Sequence, residues 1–201
     1  DQPRSYSRLI KNESENKKIF VYLTFLLTLK GTPFVYYGEE IGMENHEIKK
    51  NNLKDPLGKK FWPFYKGRDL SRNVMQWDNN IFNGFSNSKP WISYSEKMKD
   101  KNVANQKNQS LSILNYFKNL TLIRKKNPEL SLGNIKWIIK GKNNIICYKK
   151  FYKKEVSFVL LNFSNKIINL NNKKIFKNNQ LFLLFSNYHR NEIKIVDNIK
   201  L

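Results

Sequence analysis

The sequence predicts an α/β region followed by an all-β module. Two segments, 17–30 and 110–126, carry apolar residues at helical spacing. A short apolar run at 34–37 lies between them. After Gly133 the pattern changes to short β-prone runs that are separated by Asn- and Gly-rich turns.

The first helix is predicted over 17–30. Ser14 can cap its N-terminus, and Gly31 follows its last turn as a stop signal. Most faces of this helix are apolar, so it should pack against other elements on two sides. The run 34–37 follows Pro33 and contains no charge, which is typical of a buried parallel strand.

Residues 39–109 form a long loop in this interpretation. They are rich in Gly, Pro, Asn, Asp and Ser and show little periodicity. Loops of this length are usually functional or disordered, and the many aromatic residues favour an ordered, functional loop. We expect Trp62, Trp77 and Trp91 to pack within the loop, with shaping of a site entrance as the alternative.

The second helix is predicted over 110–126, with Ser110 as its cap. Strands are then predicted at 135–139, 145–152, 156–162, 167–170, 181–185 and 193–196. We therefore divide the chain into an α/β domain over 1–129 and an antiparallel β domain over 130–201. This order of elements is typical of the end of a parallel α/β barrel followed by a small β-sandwich. In such barrels the loops after the strands build the active site.

The 201 residues carry a net charge of +21, which raises the possibility of an anionic partner. Only six of the 37 basic residues are Arg, however, and the Lys residues are scattered among many Asn. Such a composition is what an A+T-rich coding sequence supplies without selection for binding. We therefore expect no nucleic-acid partner and no membrane partner. The single cysteine, Cys147, excludes a disulfide framework, and we expect no cofactor and a cytoplasmic location.

The catalytic chemistry available to the loop is that of carboxylates. His46 and His189 are the two histidines, and neither lies in a nucleophile motif. The candidate carboxylates before and within the loop are Asp1, Glu39, Glu40, Glu44, Asp55, Asp69 and Asp78. Carboxylates together with aromatic side chains are typical of carbohydrate sites, where rings stack on sugars and carboxyl pairs perform the acid and nucleophile steps.

Several linear motifs occur in a specific order. They include 1–4 (DQPR), 31–43 (GTPFVYYGEEIGM), 55–63 (DPLGKKFWP), 67–69 (GRD) and 72–78 (RNVMQWD), and shorter motifs continue to 162–164 (NFS). Together they resemble the α-glucosidases of glycoside hydrolase family 13, of the oligo-1,6-glucosidase and maltase type. The resemblance covers about residues 1–165. Asn73-Val74 departs from the Thr-Pro that is usual in the family, which leaves the conformation of this loop open.

The resemblance implies a (β/α)8 TIM barrel followed by an antiparallel β domain, with this chain starting at the end of strand 7. It also implies retaining hydrolysis, in which a carboxylate attacks the anomeric carbon and a Glu protonates the leaving oxygen. The resemblance places both of these residues upstream of the chain. Asp1 is similar to the third catalytic carboxylate of the family, which holds the sugar ring hydroxyls in the transition state.

Three further residues are implied as candidate substrate ligands. Arg68 would bind a glucose hydroxyl through its fork of donors, and a structural ion pair, for example with Asp69, is the alternative. For Arg72 a structural role is favoured over substrate binding. Glu39 either lines the pocket or orders the loop through backbone hydrogen bonds. No metal site is implied.

The resulting expectation is a fragment of a retaining α-glucosidase that hydrolyses terminal α-linked glucose from oligosaccharides or disaccharides. The fragment should be inactive by itself, because two of the three catalytic carboxylates lie outside it. One alternative is a glucosyl transferase or isomerase of the same family, of the trehalose synthase or sucrose isomerase type. Others are a non-catalytic family member that acts as a binding subunit, and a basic nucleic-acid binder.

Overall fold

The computed structural model describes residues 2–12, 15–92, 94, 101–171, 175–176, 181–187 and 198–200. It contains six α-helices in this part of the chain: α1 (Ser5–Leu9), α2 (Lys18–Thr28), α3 (Pro56–Lys60), α4 (Val103–Lys107), α5 (Ile113–Lys126) and α6 (Pro128–Ser131). The strands are β1 (Asn134–Lys140), β2 (Ile145–Tyr152), β3 (Glu155–Asn162), β4 (Asn169–Asn171) and β5 (Asn198–Lys200). None of the helices in these ranges is long and apolar enough to span a membrane.

The chain divides into two compact units. Unit 1 contains Asp1–Ile19 and Phe34–Phe117, and unit 2 contains Phe20–Pro33 and Lys118–Leu201. These units group residues by spatial proximity, and the division into sequence domains near residue 130 stays a prediction.

Both long helices are confirmed. Helix α2 lies within the predicted range 17–30, whereas its predicted cap, Ser14, lies outside the described residues. Helix α5 begins later than predicted, because Ser112 rather than Ser110 is the capping residue. The Ser112 Oγ accepts a hydrogen bond from the Asn115 backbone N–H at 3.2 Å. A serine at this position satisfies one of the donors that the first helical turn leaves unpaired.

The strand predicted at 34–37 is wrong for this structure. The run is not part of a sheet, Tyr37 lies in a turn, and the Phe34 side chain is 88% exposed. A strand forms only where neighbouring strands satisfy its backbone donors and acceptors. The part of the chain that the structure describes supplies no such neighbour to these residues.

The predicted long loop is an ordered segment that contains short helices. It includes α3, α4 and several 3₁₀ turns. In unit 1 its apolar core consists of Ile41, Met43, Met75 and Leu114, with Val103 packed against them. Residues from both ends of the loop therefore meet in one core, which holds the segment between them in a defined conformation.

Unit 2 contains an antiparallel sheet in the order β1-β2-β3 and a separate β4-β5 pair. Strands β1 to β3 confirm the first three predicted strands of the β module, and β1 carries a bulge between Trp137 and Ile139. The strand predicted at 181–185 is not a strand in the structure, and the one at 193–196 lies outside the described residues. A second layer of a β-sandwich is not seen within the described residues.

Arg124 joins several segments of unit 2. Its Nη1 donates to the backbone oxygens of Leu27 at 2.5 Å and Leu130 at 2.9 Å, and its Nη2 donates to that of Gly31 at 2.8 Å. The end of a helix leaves carbonyl oxygens without intrahelical partners, so this one guanidinium satisfies the C-terminal end of α2.

Candidate functional site

Two of the predicted site residues, Arg68 and Arg72, flank a single 3₁₀ turn in unit 1. The turn spans Asp69–Ser71, with Arg68 before it and Arg72 after it. Ser71 closes it, because its backbone N–H and its hydroxyl both donate to the Arg68 carbonyl, at 3.1 and 3.0 Å. The two arginines therefore lie at the two ends of one hydrogen-bonded turn.

Arg68 forms a two-point ion pair with Asp55. Its Nε and Nη2 donate to the two carboxylate oxygens at 3.1 and 3.2 Å, and its backbone N–H donates to Oδ2 at 2.7 Å. Asp55 is buried and also accepts from the backbone N–H of Leu57 at 3.3 Å, which caps α3. The hydrogen bond from Arg68 is the main cause that lowers the pKa of Asp55 to about 2. The carboxylate is thus ionised and fixes the direction of Arg68.

Asp69 holds the other side of this turn. Its buried carboxylate accepts from the backbone N–H groups of Lys54 and Asp55, at 2.6 and 2.7 Å, through Oδ2. Its Oδ1 is buried and has no hydrogen bond among the described residues, although the Arg72 Nη1 lies 3.9 Å away. The contact between Arg72 and Asp69 is thus longer than the contacts between Arg68 and Asp55.

Arg4 is a buried centre of the same unit and is only 1% exposed. Its Nη1 donates to the Tyr37 carbonyl at 2.6 Å, and its Nε donates to the Asn73 Oδ1 at 3.1 Å. The guanidinium carbon lies 5.0 and 4.8 Å from the ring centroids of Tyr36 and Tyr37, within the range of a cation–π interaction. Burial lowers the pKa of Arg4, and the two tyrosines act in the opposite direction.

Tyr37 and Glu39 complete this arrangement. The Tyr37 hydroxyl donates to the Asn73 carbonyl at 2.6 Å, and burial is the main cause that raises the pKa of this phenol to about 12. Glu39 is buried, and its Oε1 accepts from the Ser5 backbone N–H at 3.1 Å. Of the two roles considered for Glu39, the structure shows the backbone hydrogen bond that orders the loop.

Three of the four predicted site residues, Glu39, Arg68 and Arg72, are linked by hydrogen bonds and by neighbouring positions in the chain. Glu39 binds the backbone of Ser5, Arg4 binds the side chain of Asn73, and Asn73 follows Arg72 in the chain. Asp1, the predicted catalytic carboxylate, lies outside the described residues.

Sequence reasoning missed the roles of Arg4 and Asp55. Both belong to the matched motifs, but no single position in a sequence shows that an arginine is buried or that an aspartate faces a cation thirteen residues away.

The expectation that Trp77 and Trp91 pack within the loop is also wrong, because their side chains are 49% and 70% exposed.

The chain resembles known proteins in sequence and in structure. Residues 1–133 match the family described as "Alpha amylase, catalytic domain". An oligo-1,6-glucosidase from Parageobacillus thermoglucosidasius is 32% identical over the whole of this chain and 39% of the relative. The alpha-glucosyl transfer enzyme XgtA superimposes with a TM-score of 0.78 at 27% identity, over 85% of this chain and 32% of the enzyme. The trehalulose synthase MutB from Pseudomonas mesoacidophila gives 0.76 at 25% identity, over 85% and 34%.

These comparisons support the fold and give the share of each relative that the chain covers. The chain spans about two fifths of the length of the oligo-1,6-glucosidase and about a third of each of the two solved enzymes. The likeness confirms the expectation of a partial TIM barrel, although the β-sandwich is not tested by it. Because the family match covers residues 1–133, the chain belongs to glycoside hydrolase family 13, the family of the alpha-amylase catalytic domain.

Proposed function

We propose that this chain is part of a retaining α-glucosidase that releases terminal α-linked glucose from short oligosaccharides or disaccharides. The observation that carries the proposal is the similarity over the whole chain to an oligo-1,6-glucosidase, together with the ordered motifs from residue 1 to residue 78. In the proposed reaction a carboxylate attacks the anomeric carbon, a carboxylic acid protonates the leaving oxygen, and water then releases the glucose.

Each predicted site residue has a proposed role in this reaction. Asp1 holds the ring hydroxyls as the sugar passes through the oxocarbenium-like transition state. Arg68 binds a hydroxyl of the non-reducing glucose, and for Arg72 a structural role beside Asp69 is favoured over substrate binding. Asp55 orients Arg68 through two hydrogen bonds, and the Arg72 Nη1 lies 3.9 Å from the Asp69 Oδ1. Glu39 supports the loop from its bond to Ser5.

We also propose that residues 130–201 form the antiparallel β-sandwich domain of the parent enzyme. The three-stranded antiparallel sheet β1-β2-β3 supports this proposal as one layer of such a domain.

The proposal is tested with p-nitrophenyl α-glucoside, by comparing the 201-residue chain with the longer protein that contains it. We expect turnover by the longer protein and none by the chain alone, because the nucleophile and the acid/base residue are proposed to lie upstream. In the longer protein Asp1→Asn should lower kcat by about a hundredfold or more while KM changes little, as for the loss of a group that acts in the transition state. Clear turnover by the pure chain would contradict the proposed division of catalytic residues.

The second candidate is a glucosyl transferase or isomerase of the same family. The structural likeness to an alpha-glucosyl transfer enzyme and to a trehalulose synthase favours it. Sucrose distinguishes the two functions. A hydrolase releases equal amounts of glucose and fructose, whereas a transferase or isomerase gives a new disaccharide with little free glucose, which chromatography of the products detects.

A further inference from the structure

A buried hydrogen bond joins Arg4 to Asn73 within unit 1. The Arg4 Nε donates to the Asn73 Oδ1 at 3.1 Å, and the two residues are only 1% and 2% exposed. A hydrogen bond from a charged donor in such a buried position is stronger than one between two neutral groups. The burial arises from contacts inside unit 1, and further chain could only bury the two side chains more. The bond therefore fixes the distance between two segments that lie 69 positions apart in the sequence.

Arg4 ties the first segment of the chain to later parts of unit 1. Its Nη1 donates to the Tyr37 carbonyl at 2.6 Å, and its backbone N–H donates to the Asn45 Oδ1 at 2.9 Å. The next residue, Ser5, donates its backbone N–H to the Glu39 Oε1 at 3.1 Å. These contacts at two consecutive residues fix the position of the first segment within unit 1.

Asn73 is held from three directions. Its side chain accepts from Arg4 and donates through Nδ2 to the Glu44 carbonyl at 3.3 Å. Its backbone carbonyl accepts from the Tyr37 hydroxyl at 2.6 Å. These contacts give a defined conformation to the loop at Asn73-Val74, which the sequence left open.

The two segments also carry the groups that are proposed to bind the sugar. Asp1 precedes Arg4 by three residues, and three residues of chain span at most about 11 Å. Arg68 precedes Asn73 by five residues, and the turn between them is closed by the two hydrogen bonds from Ser71 to the Arg68 carbonyl. A shift of Arg4 or Asn73 therefore reaches both groups through short connections.

We propose that Arg4 and Asn73 are positioning residues that set the distance between Asp1 and Arg68. This inference rests on the proposed glucosidase function, in which Asp1 holds the ring hydroxyls in the transition state and Arg68 binds a hydroxyl of the same glucose. Two groups that hold one sugar ring must keep a fixed separation, and a misplacement of about 1 Å can lower a rate about a hundredfold. Arg4 and Asn73 act through the two segments and not through the sugar, since both are buried within unit 1.

The test measures kcat and KM for p-nitrophenyl α-glucoside in the longer protein that contains this chain. Arg4→Lys keeps the positive charge but loses the planar fork that reaches Tyr37 and Asn73 from separate nitrogens. Asn73→Leu keeps the approximate size of the side chain and removes both of its hydrogen bonds. We expect each variant to lower kcat about tenfold or more, through Asp1, and to raise KM severalfold, through Arg68. The double variant should lose about as much as either single variant, because both break the bond between Arg4 and Asn73.

Gln106→Leu is the matched control, since Gln106 is another buried amide of unit 1 that bridges two backbone groups. Its Nε2 donates to the Ile41 carbonyl at 2.8 Å, and its Oε1 accepts from the Leu114 backbone N–H at 3.0 Å. Neither partner belongs to the segments that carry Asp1 and Arg68. This variant should lower the midpoint of thermal unfolding by several degrees, while kcat and KM measured well below that midpoint stay within about twofold of the wild type.

The outcomes separate this inference from the proposed function. Normal kcat and KM in Arg4→Lys and Asn73→Leu, with a loss of thermal stability alone, would overturn the inference and leave the proposed function standing. Losses that multiply in the double variant would also overturn it, because the two residues would then act separately. If the longer wild-type protein turns over neither p-nitrophenyl α-glucoside nor sucrose, the proposed function fails and the positioning role fails with it.

Discussion

Arg68 and Asp55 form a two-point ion pair that joins the start of α3 to the turn carrying the candidate substrate ligands. The guanidinium donates to both carboxylate oxygens, and the backbone N–H of Arg68 adds a third contact. The same carboxylate caps α3 through Leu57. One buried acid therefore sets the conformation of two segments, and the pair is expected to contribute more to stability than an exposed surface ion pair does.

Removing either partner should destabilise unit 1. Arg68→Ala leaves the buried Asp55 without its main cation, and Asp55→Ala removes the cap and the contact together. We expect the midpoint of thermal unfolding to fall by several degrees in each variant, and the double variant to lose clearly less than the sum of the two. Circular dichroism of the four proteins measures this coupling. Lys66→Ala is the control for loss of a nearby positive charge, and full additivity would contradict the coupling.

The pair also predicts how stability depends on acid pH. The pKa of Asp55 is about 2 in the folded chain, against roughly 3.9 for an unfolded aspartate. A carboxylate with a lowered pKa contributes its stability above the unfolded value, and this contribution is lost as pH falls from about 4 to about 2. Urea unfolding across this range should therefore show a steeper decline for the wild type than for Asp55→Asn. Parallel declines would show that another group controls this range.

The sequence predicted helices and antiparallel strands well where local pattern decides the structure. Helix α2 and strands β1 to β3 carry their own periodicity, and neighbouring segments of the chain pair with one another. The strand predicted at 34–37 is wrong for a physical reason. The composition of this run suits a strand, but a strand also needs neighbouring strands to pair with. The capping residue of α5 is also ambiguous in the sequence. Ser110 and Ser112 lie two residues apart, and only packing decides which of them caps the helix.

The candidate site shows a different limit. Motifs identified Arg68, Arg72 and Glu39, but the contacts that position the loop join residues far apart in the chain. Arg4 meets Tyr37 across 33 residues and Asn73 across 69. Such a pair has no signature in one sequence, since neither periodicity nor spacing relates the two positions. The sequence therefore offers candidate site residues, but it does not predict which side chains hold them in place.

Gly38 should be intolerant of substitution for two separate reasons. Its φ is +84°, a left-handed conformation that a side chain disfavours, and an added Cβ would lie 2.1 Å from the Sδ of the fully buried Met43. Gly141 has a similar φ of +87° with nothing within 4 Å of the added Cβ, which makes it a matched control. We expect Gly141→Ala to cost about 1 kcal/mol and Gly38→Ala about 2–4 kcal/mol of unfolding free energy. Equal costs in urea unfolding would show that Met43 moves aside freely.

Lys150 is a buried cation in the middle of β2. It is 0% exposed, and its Nζ donates to the Gly133 carbonyl at 3.0 Å. Burial is the main cause that lowers the pKa of this ammonium, and the positive charges of Arg124 and Lys30 lower it further, while Glu129 opposes them. A lysine with a lowered pKa in the folded state is protonated more readily in the unfolded chain, so its protonation destabilises the fold at neutral pH.

Lys150→Met should therefore change the pH dependence of stability in the alkaline range. In the wild type the unfolding free energy rises as pH increases from the lowered folded pKa towards the unfolded value of about 10.4, because the unfolded state binds more protons there. The methionine variant lacks this rise and should match or exceed the wild type at pH near 7, since an apolar side chain of similar length carries no desolvation cost. Urea unfolding between about pH 7 and about pH 10 measures both effects, and Lys154→Met, at an exposed position, separates them from the change in net charge. A Lys150→Met chain that is less stable at neutral pH, with an unchanged alkaline rise, would show that the hydrogen bond to Gly133 outweighs the cost of burying the charge.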